Sequence, residues 1–446
     1  MTQAQNAMKN KPIFPLLMSM SLPVMLSMLI QACYNVIDSL WVAKLGTDAL
    51  TAVSLAFPLQ NIVLSVGVGM GIGIGSLASI HLGSGNREKA SQTASTGIIL
   101  VMIHCVLFVL AGIFVTKPFL QMFTQNQQIL DWACDYTQIV LCLSFGELIQ
   151  MGYEKIFQAA GKMMTTMFLM GSGCIINIVL DPILIFGLLG FPAMGIRGAA
   201  YATVIGQVAA MFLYFIVNAK KDIGLSVSLK FVRFDWKLIR EIYNVGLPSS
   251  LMLTMPSLLT GILNGILVKL GSIYVAILGL YFKLQTFINM PANGVIMGMR
   301  PIIGYNYGAR EYGRVRKTIR CSMLVVLLIT TLGTVISIFF PAEVLTLFDA
   351  EPELLTQGVI ALQLIGASFL LSTVSLVVCG VFEAMGQGKL SLFLSLLRQF
   401  ILLIPVGWGL SLFWGARGIW IAFPIAEALT LIPSLFLLRK QIQAIS

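Results

Sequence analysis

Six carboxylates fall inside long apolar stretches of this 446-residue chain: Asp38, Glu147, Glu154, Asp181, Glu383 and Glu427. A charged side chain at mid-membrane costs at least ~2.5–3.5 kcal/mol on insertion scales, so such residues are candidates for function. Asp38 lies in YNVIDSLWV and Asp181 in CIINIVLDPIL. Asn177 precedes Asp181 by four residues, which on a helix places the two on one face. Pro182 lacks a backbone donor and frees a carbonyl one turn back, near Ile178. Carboxylate, amide oxygen and freed carbonyl make an oxygen-rich corner, suited to Na⁺ or to a proton shared between buried carboxylates. The competing reading puts each aspartate at a helix end in the headgroup zone, with Gly187 and Gly190 marking the end after Asp181.

Glu147 and Glu154 are seven residues apart, again one helix face. An acidic stripe there would attract organic cations in a substrate cavity. The alternative leaves Glu154 at a cytoplasmic helix end, paired with Lys155. Gln31, Asn35 and Glu383 complete the candidate cavity residues. Glu383 stands at the repeat position of Gln158 and Glu427 at that of Gln207, and either could be structural. The 23 Met and 27 Phe supply soft, adaptable surface for such a cavity.

Other chemistry is poorly supported. His81 and His104 are isolated and make no metal cluster. GQGK at 386–389 lacks the Ser/Thr and first Gly of a phosphate loop. No pattern suggests an enzyme, and no cofactor is expected. The seven cysteines are scattered without a CxxC pair and read as small buried hydrophobes.

The elements that must position these residues are membrane helices. The chain is 58% hydrophobic and 10% charged, with a mean hydropathy of +0.92. A soluble domain carries roughly 25% charge. Twelve apolar stretches are long enough to span, near 14–41, 49–80, 93–116, 130–158, 163–188, 194–218, 240–268, 274–304, 316–340, 353–383, 390–413 and 417–438. The first is too long for a cleaved signal. With both termini in the cytoplasm, 21 Lys and Arg collect on the inner side and 5 on the outer, while Lys283 and Arg300 fall within a helix. The net charge of +10 therefore reports topology and membrane lipid headgroups rather than nucleic acid. A bacterial-type cytoplasmic (inner) membrane is the expected location.

The chain is duplicated. Leu22-Pro23 recurs as Leu247-Pro248 and Lys44-Leu45-Gly46 as Lys269-Leu270-Gly271, both 225 residues on. Gly85-Asn86-Arg87-Glu88 recurs as Gly308-Ala309-Arg310-Glu311, Gly161 as Gly386, and Gly195-Ile196-Arg197-Gly198 as Gly415-Ala416-Arg417-Gly418. Six helices per copy is an even number, so the repeats run parallel. The expected architecture is all-α, with twelve transmembrane helices in two six-helix lobes. Residues 1–218 form the first lobe, 219–240 a basic cytoplasmic linker and 241–446 the second lobe.

These features together resemble the multidrug and toxic compound extrusion (MATE) transporters over residues 12–440. The resemblance rests on Pro23 and Asp38, KLG at 44–46, GSGNREKA after the second stretch, QAAGK after the fourth, NIVLDPIL in the fifth and GIRGAAYATVIGQ opening the sixth. It implies export of drugs, organic cations among them, in exchange for H⁺ or Na⁺. It implies a coupling site at Asp38, Asn177, Asp181 and Thr203, with the Ala199 carbonyl as a further ligand, and a helix bend at Pro23. It implies a monomer. Some members carry acids on helices 7 and 10, whereas this chain has none between Val245 and Val268. The runner-up is a lipid-linked oligosaccharide flippase of the same superfamily, which would need cavity cations, here only Lys283 and Arg300. A channel or membrane enzyme is the least favoured reading.

Overall fold

The computed structural model describes residues 3–347 and 352–444, and every regular element among them is helical. They are α1 (Gln3–Asn10), α2 (Ile13–Ala43), α3 (Thr47–Gly83), α4 (Arg87–Phe114), α5 (Thr116–Gln121), α6 (Gln127–Cys142), α7 (Phe145–Ala159), α8 (Met163–Phe186) and α9 (Ile196–Lys220). After the linker come α10 (Trp236–Leu267), α11 (Ser272–Gly308), α12 (Tyr312–Phe339), α13 (Pro341–Thr346), α14 (Pro352–Ala384), α15 (Gly388–Leu396), α16 (Ile404–Trp414) and α17 (Ala416–Ala444).

Among the described residues, eleven helices are long and apolar enough to cross a membrane, counting 388–414 as one. The twelfth expected span, 130–158, is divided between α6 and α7 by a break at Leu143–Ser144. The 388–414 span contains a π-helical stretch, Leu397–Leu403, between α15 and α16. Pro405 cannot donate to the Ile401 carbonyl, which favours the wider i→i+5 bonding just before it.

The chain forms two compact units. One comprises Met1–Asn10 and Leu26–Ser250, the other Lys11–Met25 and Leu251–Ser446. Helices α2 and α10 each change unit partway along their length. The first unit has an apolar core that includes Val42, Ala52, Ala56, Tyr136, Ile185 and Ala199. In the second, Tyr281 stacks on Phe369 with ring centroids 5.8 Å apart and meets Phe423 edge-on at 5.3 Å.

The alternating glycines of α3 divide by helical spacing into two stripes. Gly67, Gly71 and Gly75 admit α7: a Cβ on Gly71 would come within 2.6 Å of the Lys155 side chain, and one on Gly67 within 2.8 Å of Met151. Gly69 and Gly73 admit the first turns of α10, where a Cβ on Gly73 would lie 2.6 Å from the Ile242 carbonyl. The second unit repeats this 225 residues on. Gly294 and Gly298 of α11 sit against Met25 and Ser21 of α2, and a Cβ on Gly298 would lie 2.9 Å from the Ser21 backbone. Small residues let backbones approach where lipid offers no hydrophobic drive to pack.

Candidate ion-coupling site

The first unit brings Asp38, Asn177, Asp181 and Thr203 together from three helices. Asn177 and Asp181 lie one turn apart on α8 and are buried, as is Thr203 on α9. The Asn177 amide donates to Asp181 Oδ1 at 3.4 Å and to Thr203 Oγ1 at 3.3 Å. Helices α8 and α9 can hold this spacing because they pack through glycine. A Cβ on Gly206 would lie 2.7 Å from the Gly173 carbonyl, and one on Gly173 2.9 Å from the Gly206 carbonyl. Ala199, one turn before Thr203, is buried in the apolar core.

Asp38 reaches this corner from α2, and its carboxyl lies beside that of Asp181. Two carboxylates brought together favour a shared proton or a cation. Three oxygens, Asp38 Oδ1, Asp181 Oδ2 and Asn177 Oδ1, are buried without a hydrogen-bond partner. A buried polar atom left unpaired is expensive. A proton or a small hard cation would satisfy these oxygens, and Na⁺ suits carboxylate, amide and hydroxyl donors. The set therefore fits a proton or a small hard cation, with Thr203 Oγ1 as a further oxygen.

Three residues of this site escaped the sequence reading. Tyr34 is one turn before Asp38, and its side chain lies beside Asp38 and Thr203. Tyr136 on α6 also reaches Thr203, and Gln60 of α3 donates to the Tyr136 hydroxyl at 3.3 Å. Tyr34 could have been found from its i−4 spacing to Asp38. Nothing in the spacing of Gln60 or Tyr136 signals their convergence.

The candidate cavity acids differ in their surroundings. Glu147 lies beside the Gln207 side chain, whose Oε1 is buried without a hydrogen-bond partner. Glu154 forms the pair with Lys155, 2.8 Å apart, and accepts from Gln158 at 2.7 Å. Lys155 is buried against the glycine stripe of α3 rather than lying free on a surface. Gln31 is half-buried and Asn35 exposed, seven and three residues before Asp38.

The second unit holds its acids differently. Glu383 on α14 pairs with Arg300 on α11. Glu427 on α17 lies 3.2 Å from Arg398 and accepts from the Ser375 hydroxyl at 3.2 Å. Arg398, one of the 21 cations assigned above to the inner side, instead lies in the π stretch, inside a span and about four-fifths buried. The Glu383 pair also engages Arg300, one of the two cations a flippase would need. Among the described residues no group of three or more His, Cys, Asp or Glu could hold a metal.

The MatE family model matches residues 23–183 and 248–408, one copy in each half of the chain. The chain is similar to proteins described as multidrug export protein MepA. One, from Staphylococcus haemolyticus (strain JCSC1435), is 25% identical over 95% of this chain and 93% of its own. Another, from Staphylococcus aureus (strain N315), is 25% identical over 97% and 96%. Among solved structures, one described as the outward-facing conformation of a multidrug resistance MATE family transporter superposes with a TM-score of 0.92 at 23% identity, covering 100% of this chain and 99% of that one. A MATE structure in the bent conformation gives 0.92 at 24% identity over 100% and 98%. With its twelve spans in two parallel six-helix repeats and a family match across both halves, this chain belongs to the MatE family of membrane transporters and is not an enzyme.

Proposed function

We propose that this protein is a secondary multidrug exporter that exchanges cationic or amphipathic drugs for H⁺ or Na⁺ by alternating access, as a monomer. Its place is a bacterial-type cytoplasmic membrane with both termini inside. The lobes 1–218 and 241–446, joined by 219–240, would move against each other. The observation that supports this reading is the Asp38–Asp181 contact, where one oxygen each of Asp38, Asp181 and Asn177 is buried without a donor. Such a site changes its free energy sharply when a proton or Na⁺ enters. The ion can then bias the two access states only by its differential affinity for them.

Asp38 sits on α2, fifteen residues beyond Pro23. Loading the site would alter how α2 packs, and Pro23, which breaks the helical hydrogen-bond ladder, is the natural hinge. Of the acids considered for the cavity, Glu147 is the best supported. Glu154 and Glu383 are already balanced by Lys155 and Arg300. Gln31 and Asn35, on the α2 segment leading to Asp38, would contact the drug.

The test is transport in proteoliposomes with a pH gradient or a Na⁺ gradient imposed one at a time. Drug accumulation against its own gradient under one of the two, and none with neither, is the expected result. Equal flux without any ion gradient would mean a channel or uniporter.

A further inference from the structure

The segment joining α9 to α10 has two sides. On one, Ile223 and Leu225 are buried. The backbone N–H groups of Ser226, Ser228 and Arg233 donate to the hydroxyls of Ser91 (2.9 Å), Ser95 (3.0 Å) and Thr96 (3.4 Å) of α4. Ion pairs from Arg87 to Asp222 and from Arg233 to Glu88 flank these bonds. The segment is thus strapped to α4 in one orientation rather than hanging as a loose tether.

On its other side, Leu229, Phe234 and Trp236 are 80, 76 and 82% exposed. Between and beside them stand Lys230, Arg233, Lys237 and Arg240, all exposed. Two acids lie among them. Asp235 is turned to the backbone, its Oδ1 accepting from the Lys237 N–H at the start of α10, and Glu241 is half-buried. Large apolar side chains interleaved with cations are the composition of segments that lie in a membrane interface. The segment leaves one spanning helix at Lys220 and enters the next at Trp236, so it stands at the edge of the bilayer. The bias of Lys and Arg puts that edge on the inner, anionic leaflet.

We propose that residues 229–240 form a docking surface for anionic phospholipid. Leu229, Phe234 and Trp236 enter the boundary between headgroups and acyl chains. Lys230, Lys237 and Arg240 meet lipid phosphates, while Arg233 is shared with Glu88. The strap to α4 fixes this face toward the leaflet, so lipid composition acts on the first turns of α10. The proposal rests on the membrane topology and not on the exchange reaction.

The experiment uses the full chain in nanodiscs of phosphatidylcholine with and without phosphatidylglycerol, carrying lipids brominated near the headgroup end of the acyl chain. Wild type should show a quenched tryptophan component that Trp236→Phe lacks. Lys230→Gln, Lys237→Gln and Arg240→Gln should each reduce retention of phosphatidylglycerol in native mass spectrometry by roughly fivefold, with thermal stability unchanged. Equal quenching of wild type and Trp236→Phe would overturn the proposal. So would shielding of Trp236 that grows with protein concentration and ignores lipid, which would mark a surface for a second copy.

Discussion

Asp38 and Asp181 meet carboxyl to carboxyl, and neither takes part in an ion pair among the described residues. Glu383 and Glu427, two acids within the spans of the second unit, each have an arginine. The repeat positions of Asp38 and Asp181 there are Leu263 and Val406. The Asp38–Asp181 pair thus lacks the cationic partner that Glu383 and Glu427 each have, and the proposed ion exchange follows most simply from it.

Thr203 gives the Asn177 amide its second acceptor. Thr203→Val keeps the shape but strands a buried donor, at a cost of about 1–3 kcal/mol. Ion affinity, read from the gradient needed for half-maximal drug transport, should weaken on the order of tenfold. Thr203→Ser should stay near wild type; equal loss in both would point to packing instead of the hydroxyl.

Drug and ion should oppose each other. Linkage makes the effect reciprocal, so the coupling ion weakens drug binding by the factor with which the drug weakens its own. With H⁺ as the ion, the drug Kd rises as pH falls and ignores Na⁺. With Na⁺, it rises with Na⁺ at fixed ionic strength. Titrating drug binding by purified protein across both variables checks this, and a Kd flat in both would rule out exchange at this site.

Arg300→Ala or Glu383→Ala alone leaves a buried charge without its partner, and each should cost about 3–5 kcal/mol. The double variant Arg300→Met/Glu383→Leu should recover most of that loss. Thermal unfolding in detergent reads both. Additive losses in the double variant would show that the two residues do not act as a pair.

Gly73→Ala would drive a Cβ against the Ile242 carbonyl and the Gly246 backbone, neither of which can yield as a side chain tip does. A loss of about 1–3 kcal/mol is expected. Gly279→Ala meets nothing within 4 Å and should be neutral or slightly stabilising. Similar melting temperatures for the two variants would contradict the tight α3–α10 approach.

The spans were legible because twenty apolar residues in a row have few other uses, and the duplication because motifs recur at a near-constant offset. Asp38 and Asp181 stood out by expense alone, and Asn177 by i−4 spacing. Thr203 came only through family resemblance, since a threonine in an apolar helix is unremarkable. Gln60 and Tyr136 meet from α3 and α6, and only packing brings them together. The Arg300–Glu383 pair joins residues 83 apart in sequence, which helical periodicity does not encode. The break at Leu143–Ser144 lies within an unbroken apolar pattern, and the π stretch that carries Arg398 leaves hydropathy unchanged.

The central claim is that the Asp38–Asp181 pair holds the ion that drug displaces. Adding drug to purified protein in weakly buffered solution, with proton release followed by a pH indicator and Na⁺ release by an ion-selective electrode, tests it directly. Wild type should release one of the two ions in proportion to drug bound, and Asp38→Asn and Asp181→Asn should release neither while remaining folded. Undiminished release from either variant would place the exchanging ion elsewhere.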